Sequence, residues 1–240
     1  MDRVLKIPFG GGWLEFATRT GAGSDLTVTD EIVIREIFVE NVYQVEAADM
    51  ADTGAVVDIG GNVGAFSIFA AALGAKAVYA YEPNAESYGV LVENIARNGM
   101  AGVIRPLNTG VSDTEKDVEM VGSQGAAFVV GTKPVTDPAM KARLEAMPKE
   151  GVHVVSLGSV FAGNGIGTCD ILKIDCEGSE YDIIAGAPVD VLAKARYITM
   201  EFHSTDVRTF GGMVAKLTQT HNIHIIGRHD MGGQIYARLY

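Results

Sequence analysis

Asp58-Ile59-Gly60-Gly61-Asn62-Val63-Gly64 joins a short apolar run to a longer one. Glycines at such a junction let the backbone approach a ligand, and N–H groups at the start of the following helix favour an anionic or polar group. The next short apolar run, Ala77 to Tyr81, is followed by Glu82. An acid at the end of a second strand can accept both hydroxyls of a ribose. The plainer reading of Gly60, Gly61 and Gly64 is a tight strand-to-helix turn, but Glu82 in register points to a nucleoside-containing cofactor at the carboxyl edge of a sheet. A dinucleotide fingerprint starting at Gly60 needs glycines where Asn62 and Ala65 stand, and a P-loop needs Gly-Lys where Ala65-Phe66 stand. Asp58 would repel a pyrophosphate yet suits a cation. S-adenosylmethionine carries a sulfonium, an ammonium and a ribose, and so suits Asp58 and Glu82 together.

A second acidic group closes another apolar run. Asp175, Glu177 and Glu180 follow Ile171-Leu172-Lys173-Ile174. They could position a cationic sulfonium, act as a base or hold a divalent metal, and their repulsion would raise at least one pKa. The plainer roles are a helix-dipole contact for Glu180 and a backbone cap for Glu177. Glu201-Phe202-His203 ends the next strand at the same edge. His203, with an ordinary pKa of about 6.5, is a candidate base for an acceptor hydroxyl, as is Asp175. Asp175, Glu201 and His203 also suit Mg or Mn, although no resident metal is expected. His153, His221, His224 and His229 fit no ligand spacing. Cys176 beside Asp175 invites a nucleophile reading, but methyl transfer needs no thiol.

The elements that must carry these residues alternate. Ala55–Ile59, Ala77–Tyr81 and Val103–Leu107 read as strands, and Val63–Leu73 and Asn84–Asn98 as helices, with Gly99 just past the second. Pro106 is a mild objection to the third strand. After an interruption, Ile171–Asp175 and Tyr197–Phe202 read as strands and Ser179–Ala185 and Val207–Thr220 as helices. Ile223–Ile226 and Gln234–Leu239 form a closing antiparallel pair. This is the pattern of a parallel sheet with helices on its faces. Between 112 and 169, Val118–Val121 and Ala126–Val130 suggest a hairpin, Pro138–Met147 a short helix and Val152–Val155 a strand. Near the start, Val4–Ile7 and Trp13–Thr18 read as strands, and Thr29 or Asp30 as the cap of a helix containing Ile32, Ile34, Ile37 and Phe38. The chain thus divides into a β-rich and helical N-terminal appendage, 1–53, and a larger domain, 54–240, with an insertion at 114–155. Trp13 and Phe16 would cover the core or form a homo-oligomer contact.

The loop Asp58–Gly64, the segment Tyr81-Glu82-Pro83-Asn84 and the run Asp170-Ile171-Leu172-Lys173-Ile174-Asp175-Cys176-Glu177-Gly178-Ser179-Glu180-Tyr181 resemble the FkbM family of class I S-adenosylmethionine-dependent methyltransferases. The resemblance covers roughly residues 30–204, and Lys-Ile-Asp-x-Glu-Gly-x-Glu is its most specific part. It implies a Rossmann-like α/β fold with a seven-stranded, mostly parallel sheet whose last strand is antiparallel. It also implies O-methylation of a hydroxyl on a sugar or secondary metabolite. The segment Asn108–Asp113, with Val111 and Ser112, would lie near the adenine. Asp58, Gly60, Gly61, Asn62, Gly64, Glu82, Pro83, Asn84, Asp175 and Glu177 would bind the cofactor, and Asp175, Glu201 and His203 would serve catalysis. Gly158 stands where the family usually has Asp, so a helix cap or site contact would be missing. Alternatives within the same fold are N- or C-methylation and a non-catalytic cofactor-binding or interaction protein.

Composition excludes other classes. The 240 residues carry 30 acidic against 19 basic side chains, a net charge of −11. That disfavours a nucleic acid partner, since phosphate neutralisation needs basic clusters. A hydrophobic fraction of 48% supports a packed core. No apolar run reaches the ~18 residues of a membrane span. Cys169 and Cys176 flank a strand too long to let them bridge, which predicts free thiols in a reducing, cytoplasmic setting. The expected partner is a small-molecule acceptor.

Overall fold

The computed structural model describes residues 3–19, 25–50, 54–121, 128–129, 146 and 149–240. Strands β1 (Arg3–Phe9) and β2 (Gly12–Thr18) form an antiparallel hairpin. Helix α1 (Asp25–Arg35) runs straight into a π-helical turn, Glu36–Glu40, and a 3₁₀ turn spans Ala47–Met50. Alternation begins with β3 (Ala55–Ile59), α2 (Ala65–Ala72), β4 (Ala77–Tyr81), α3 (Ala85–Arg97) and β5 (Ile104–Leu107). Four strands follow, β6 (Gly110–Ser112), β7 (Lys116–Val121), β8 (Phe128–Val129) and β9 (Lys149–Ser156). The chain then continues through α4 (Leu157–Gly163), β10 (Cys169–Ile174), α5 (Glu180–Gly186), α6 (Val189–Leu192), β11 (Ala195–Phe202), α7 (Val207–Leu217), β12 (His221–Arg228) and β13 (Gly232–Leu239).

Seven strands make the central sheet in the order β12-β13-β11-β10-β3-β4-β5. The pairs from β11 to β5 are parallel, and β13 runs antiparallel to both neighbours. Central strands are mostly apolar because helices cover both faces: all six residues of β10 are buried, its Asp170 and Lys173 included. One core layer joins β10 and β11 to α4, α5 and α7 through Phe161, Leu172, Ile183, Met200 and Leu217. The other joins β3 and β4 to α2 and α3 through Val56, Phe66, Ile68, Val78 and Leu91. Pro106 is tolerated because β5 is the sheet's edge. A second sheet, β6-β9-β7-β8, contains the hairpin expected around 118–130, with Met120 opposite Val129. The short helix expected at Pro138–Met147 falls, but for residue 146, outside the described residues.

The N-terminal hairpin is fastened to α3 by two asparagines one turn apart. Asn94 Oδ1 accepts from Ala17 N at 2.6 Å and Asn98 Oδ1 from Glu15 N at 2.9 Å, while both amides donate to the same residues' carbonyls. Phe9, Phe16, Phe38 and Phe69 pack edge-to-face behind them, with centroids 5.2–5.9 Å apart. Phe16 is therefore core, whereas Trp13 is 67% exposed.

Two cap expectations change. Asp30 does not start α1 but lies inside it, fully buried and ion-paired with Arg19, whose backbone N–H also donates to it at 2.7 Å. A buried carboxylate needs such a partner more than the helix needs a cap. Gly158 leaves no helix uncapped either: Ser156 caps α4, its Oγ accepting from Ser159 N at 3.1 Å. Both cysteines are free. Among the described residues no helix is long and apolar enough to cross a membrane.

Candidate active site

Two adjoining cavities lie at the carboxyl edge of the parallel strands, where the turn after β3 meets the ends of β4 and β10. The first is lined by Gly60, Asn62, Glu82, Pro83, Asn84, Val111, Asp175 and Glu177, among others. The second shares Gly60, Asn62, Asp175 and Glu177 and adds Glu36, Tyr43, Phe66, Glu201 and Gln234. Register explains the meeting point. Ile59 pairs with Tyr81 on one side and with Ile174 on the other, so the residues that follow each strand converge.

Glu82 is the organiser of the first cavity. Its two carboxylate oxygens accept from Asn62 N and Asn84 N, each at 2.8 Å. Burial raises its pKa, and the two backbone N–H groups work against that rise. Asn84 caps α3 through Ser87 N at 2.9 Å, and its amide donates to Glu150 Oε2 at 3.0 Å, so a residue of β9 braces this wall. Val111 lines the cavity. Ser112 does not; it is buried, and its hydroxyl donates to Asp113.

The glycine loop works differently from the sequence expectation. The N–H groups of Gly60 and Gly61 both donate to Tyr81 O at 3.0 Å instead of facing a ligand. A Cβ on Gly60, at φ +81°, would stand 1.7 Å from the Asp175 carbonyl, and one on Gly64, at φ +86°, 2.6 Å from Leu91 Cδ1. Gly60 makes room for the chain just after β10 and Gly64 for α3; Gly60 still lines both cavities, whereas Gly64 lines neither. Between them Asn62 holds φ +47° without being glycine. Its side-chain Oδ1 accepts from the Arg19 guanidinium at 2.9 Å, and Arg19 also reaches Ser87 Oγ at 2.8 Å.

Asp58 also departs from expectation. It is fully buried and lines neither cavity. Ser67 Oγ donates to it at 2.7 Å, and Lys173 Nζ stands 3.1 Å away. The two residues are direct register partners on β3 and β10. Lys173 further donates to Gly60 O at 2.7 Å, so the pair anchors the loop from below. Burial pulls the lysine's pKa down, but Asp58 and Asp175 more than restore it. Asp58 is thus neutralised by the protein and does not meet a cofactor's cation. A lysine inside an apolar strand run demands a partner, and that was the readable signal.

The acidic strand end is resolved into separate tasks. Glu180 is fully buried, and its Oε1 accepts from His203 N at 2.7 Å and contacts His203 Nδ1 at 3.1 Å. On the other ring nitrogen, Nε2 lies 3.2 Å from Glu177. Burial disfavours the charged ring, yet the two carboxylates raise its pKa to about 10. At neutral pH His203 is an imidazolium without a lone pair to accept a proton, which overturns its reading as a base. It also lines neither cavity. What it does is hold Glu177, a non-glycine residue at φ +56° on the junction of the two cavities. Cys176 is likewise no nucleophile, since burial pushes its thiol well above the ordinary range.

Glu201 faces the second cavity, with Gln234 Nε2 at 3.4 Å. Burial and the charge of Asp175 push its pKa up to about 7. Tyr43, which sequence reasoning missed, donates its hydroxyl to Asp175 Oδ2 at 2.7 Å. Among the described residues no group of three or more acidic, histidine or cysteine side chains is arranged to hold a metal.

The methyltransferase FkbM domain matches this chain over residues 58–226, most of its length. The chain belongs to the FkbM methyltransferase family. It is 27% identical over 222 residues to the 31-O-demethyl-FK506 methyltransferase FkbM of Streptomyces tacrolimicus, covering 83% of this chain and 84% of that protein. It is also 27% identical over 253 residues to the AMB antimetabolite synthetase AmbE of Pseudomonas aeruginosa, covering 91% of this chain. The chain spans only 12% of the length of that synthetase. The crystal structure of the methyltransferase FkbM from Methylobacillus flagellatus KT superposes with a TM-score of 0.52 at 14% identity, over 85% of this chain and 47% of that one. That likeness gives the fold: a class I methyltransferase sheet with its antiparallel strand second from the edge. Arg19 and Tyr43 lie outside the segment that matches the FkbM family, although they bond to Asn62 and Asp175 within it.

Proposed function

We propose that the protein transfers a methyl group from S-adenosylmethionine to a hydroxyl oxygen of a small molecule, such as a sugar or a secondary metabolite, in the cytoplasm. The observation that carries this reading is the shared border of the two cavities, with Glu82 on one side and Glu201 on the other. The donor set of the first cavity fits the cofactor. A fixed carboxylate suits ribose hydroxyls, Pro83 and Val111 offer apolar surface to a base, and Asp175 and Glu177 suit a cation. Among the described residues no lysine or arginine lines it to offer a pyrophosphate counter-charge.

When bound, S-adenosylmethionine supplies a methyl group already activated on a sulfonium. The protein's own part is to bind, orient and exclude water. Glu82 accepts from the ribose with the lone pairs its backbone partners leave. Asp175 and Glu177 supply negative charge at the border. Glu201 takes the acceptor's proton at a carboxylate oxygen, its pKa of about 7 keeping much of it ionised at neutral pH. The Gln234 amide steadies it. The clustering of Glu36, Asp175, Glu177 and Glu201 around the second cavity favours one other reading, methylation of an amine that enters as a cation.

Calorimetric titration with S-adenosylmethionine and S-adenosylhomocysteine, with NADH as control and Glu82→Ala in parallel, tests the cofactor. Micromolar adenosyl binding, lost in Glu82→Ala, supports the reading, and binding of NADH instead overturns it. An alkali-stable methyl group in the product excludes a carboxyl acceptor, and the chemical shift of the new methyl in the product's NMR spectrum, O-methyl against N-methyl, distinguishes a hydroxyl from an amine.

A further inference from the structure

Residues 41–45 form a strap held against β11 and β13. Asn41 closes it on itself, its Oδ1 accepting from Val45 N at 3.0 Å and its amide donating to Val45 O at 3.1 Å. Asn41 at φ +48° and Gln44 at φ +51° both take the left-handed conformation that non-glycine residues avoid. Three hydroxyls latch the strap to the sheet. Tyr197 Oη and Thr199 Oγ1 donate to Tyr43 O at 2.9 and 3.0 Å, and Tyr236 Oη donates to Val42 O at 2.7 Å. The side chain so placed is Tyr43, 5% exposed, its ring edge-on to Phe66 at 5.2 Å and its hydroxyl on Asp175 Oδ2. Lys173 Nζ approaches the same oxygen at 4.0 Å. Both contacts fall on Oδ2. Burial keeps the Tyr43 phenol protonated, hence always a donor.

We propose that Tyr43 is a positioning residue, whose hydroxyl fixes Asp175 at the border of the two cavities so that a set negative charge meets the positively charged methyl donor. This rests on the S-adenosylmethionine reading above. The latches act on the strap's backbone carbonyls, so Tyr43→Phe keeps the ring, the strap and the latches and removes only the bond to Asp175.

The test compares affinities for S-adenosylmethionine, which is a sulfonium, and S-adenosylhomocysteine, which is a neutral thioether, by calorimetry on the whole chain. Tyr43→Phe lowers the ratio of the first affinity to the second about fivefold, with the melting temperature nearly unchanged. Asp175→Asn lowers the ratio at least as far, and the double variant lowers it no further than Asp175→Asn alone. A Tyr43→Phe that weakens both ligands in parallel has a merely structural role, and one that leaves both unchanged has none. Either result overturns the proposal, as does strict additivity in the double variant. If the folded wild-type protein binds neither ligand, the cofactor reading itself fails and this inference falls with it.

Discussion

In the first cavity Glu82 has both oxygens pinned by backbone N–H groups, whereas in the second Glu201 has one side-chain amide at 3.4 Å and a neighbouring negative charge. Burial raises the pKa of both acids, but at Glu82 two backbone N–H groups oppose it, whereas at Glu201 the charge of Asp175 adds to it and the pKa is pushed up to about 7. A carboxylate held by fixed dipoles recognises hydroxyls and stays still. One left short of partners in a dry site is ready to take a proton. On the proposed function, the contrast would separate recognition from proton transfer along a border only a few residues wide.

Replacing Glu201 by Gln is the sharpest way to break the contrast. It lowers kcat/KM by about 10²–10⁴-fold while leaving S-adenosylmethionine affinity nearly unchanged. In the wild-type protein kcat/KM rises with pH and levels off above about 7, because the base must be ionised, and that limb disappears in the variant. A pH-independent rate, or an equal loss in binding, would remove Glu201 from the mechanism. Lys173→Met acts beneath the loop that borders both cavities. It leaves Asp58 buried without its cation and destabilises the fold by about 3–5 kcal/mol, read by urea denaturation. Glu82→Gln acts on the first cavity alone, weakening adenosyl binding by about 1.5–3 kcal/mol, roughly 10–150-fold. Comparable weakening in Glu201→Gln would erase the distinction between the cavities.

The mildest test concerns His203. Its folded pKa is raised to about 10 from an unfolded value near 6.5, so the protonated ring stabilises the native state. That contribution is complete below about pH 6.5 and is lost as pH climbs through about 10. Stability measured across this window falls with pH in the wild-type protein and falls less in His203→Gln. Identical slopes would mean that the ring is not held as a cation.

What the sequence made legible followed from the parallel sheet. Glu82 and Asp175 close strands whose carboxyl ends must lie together, so their convergence could be read from apolar runs and the turns between them. The tasks of individual side chains were less accessible, because each depends on neighbours far along the chain. His203 reads as a base from its type, and only contact with Glu177 and Glu180 makes it a cation. Asp58 reads as a ligand-facing acid, until Lys173 is found opposite it in register. Tyr43 carries no local mark at all, since its partner Asp175 lies across the fold and its own strap has no motif. The π-helical turn at Glu36–Glu40, which leads into that strap, leaves only a β-branched helix pattern in the sequence.

The tie from Arg19 to Asn62 bears on how this unit could be moved or recombined. The family match alone would draw the border of a portable catalytic module near residue 58, where it begins. A module cut there would have its cofactor loop intact in composition yet stripped of the guanidinium on Asn62 and the phenol on Asp175. A graft into another chain therefore has to carry everything from Arg19 onward. Swapping the N-terminal portion between relatives would retune the site without altering a single residue of its motifs.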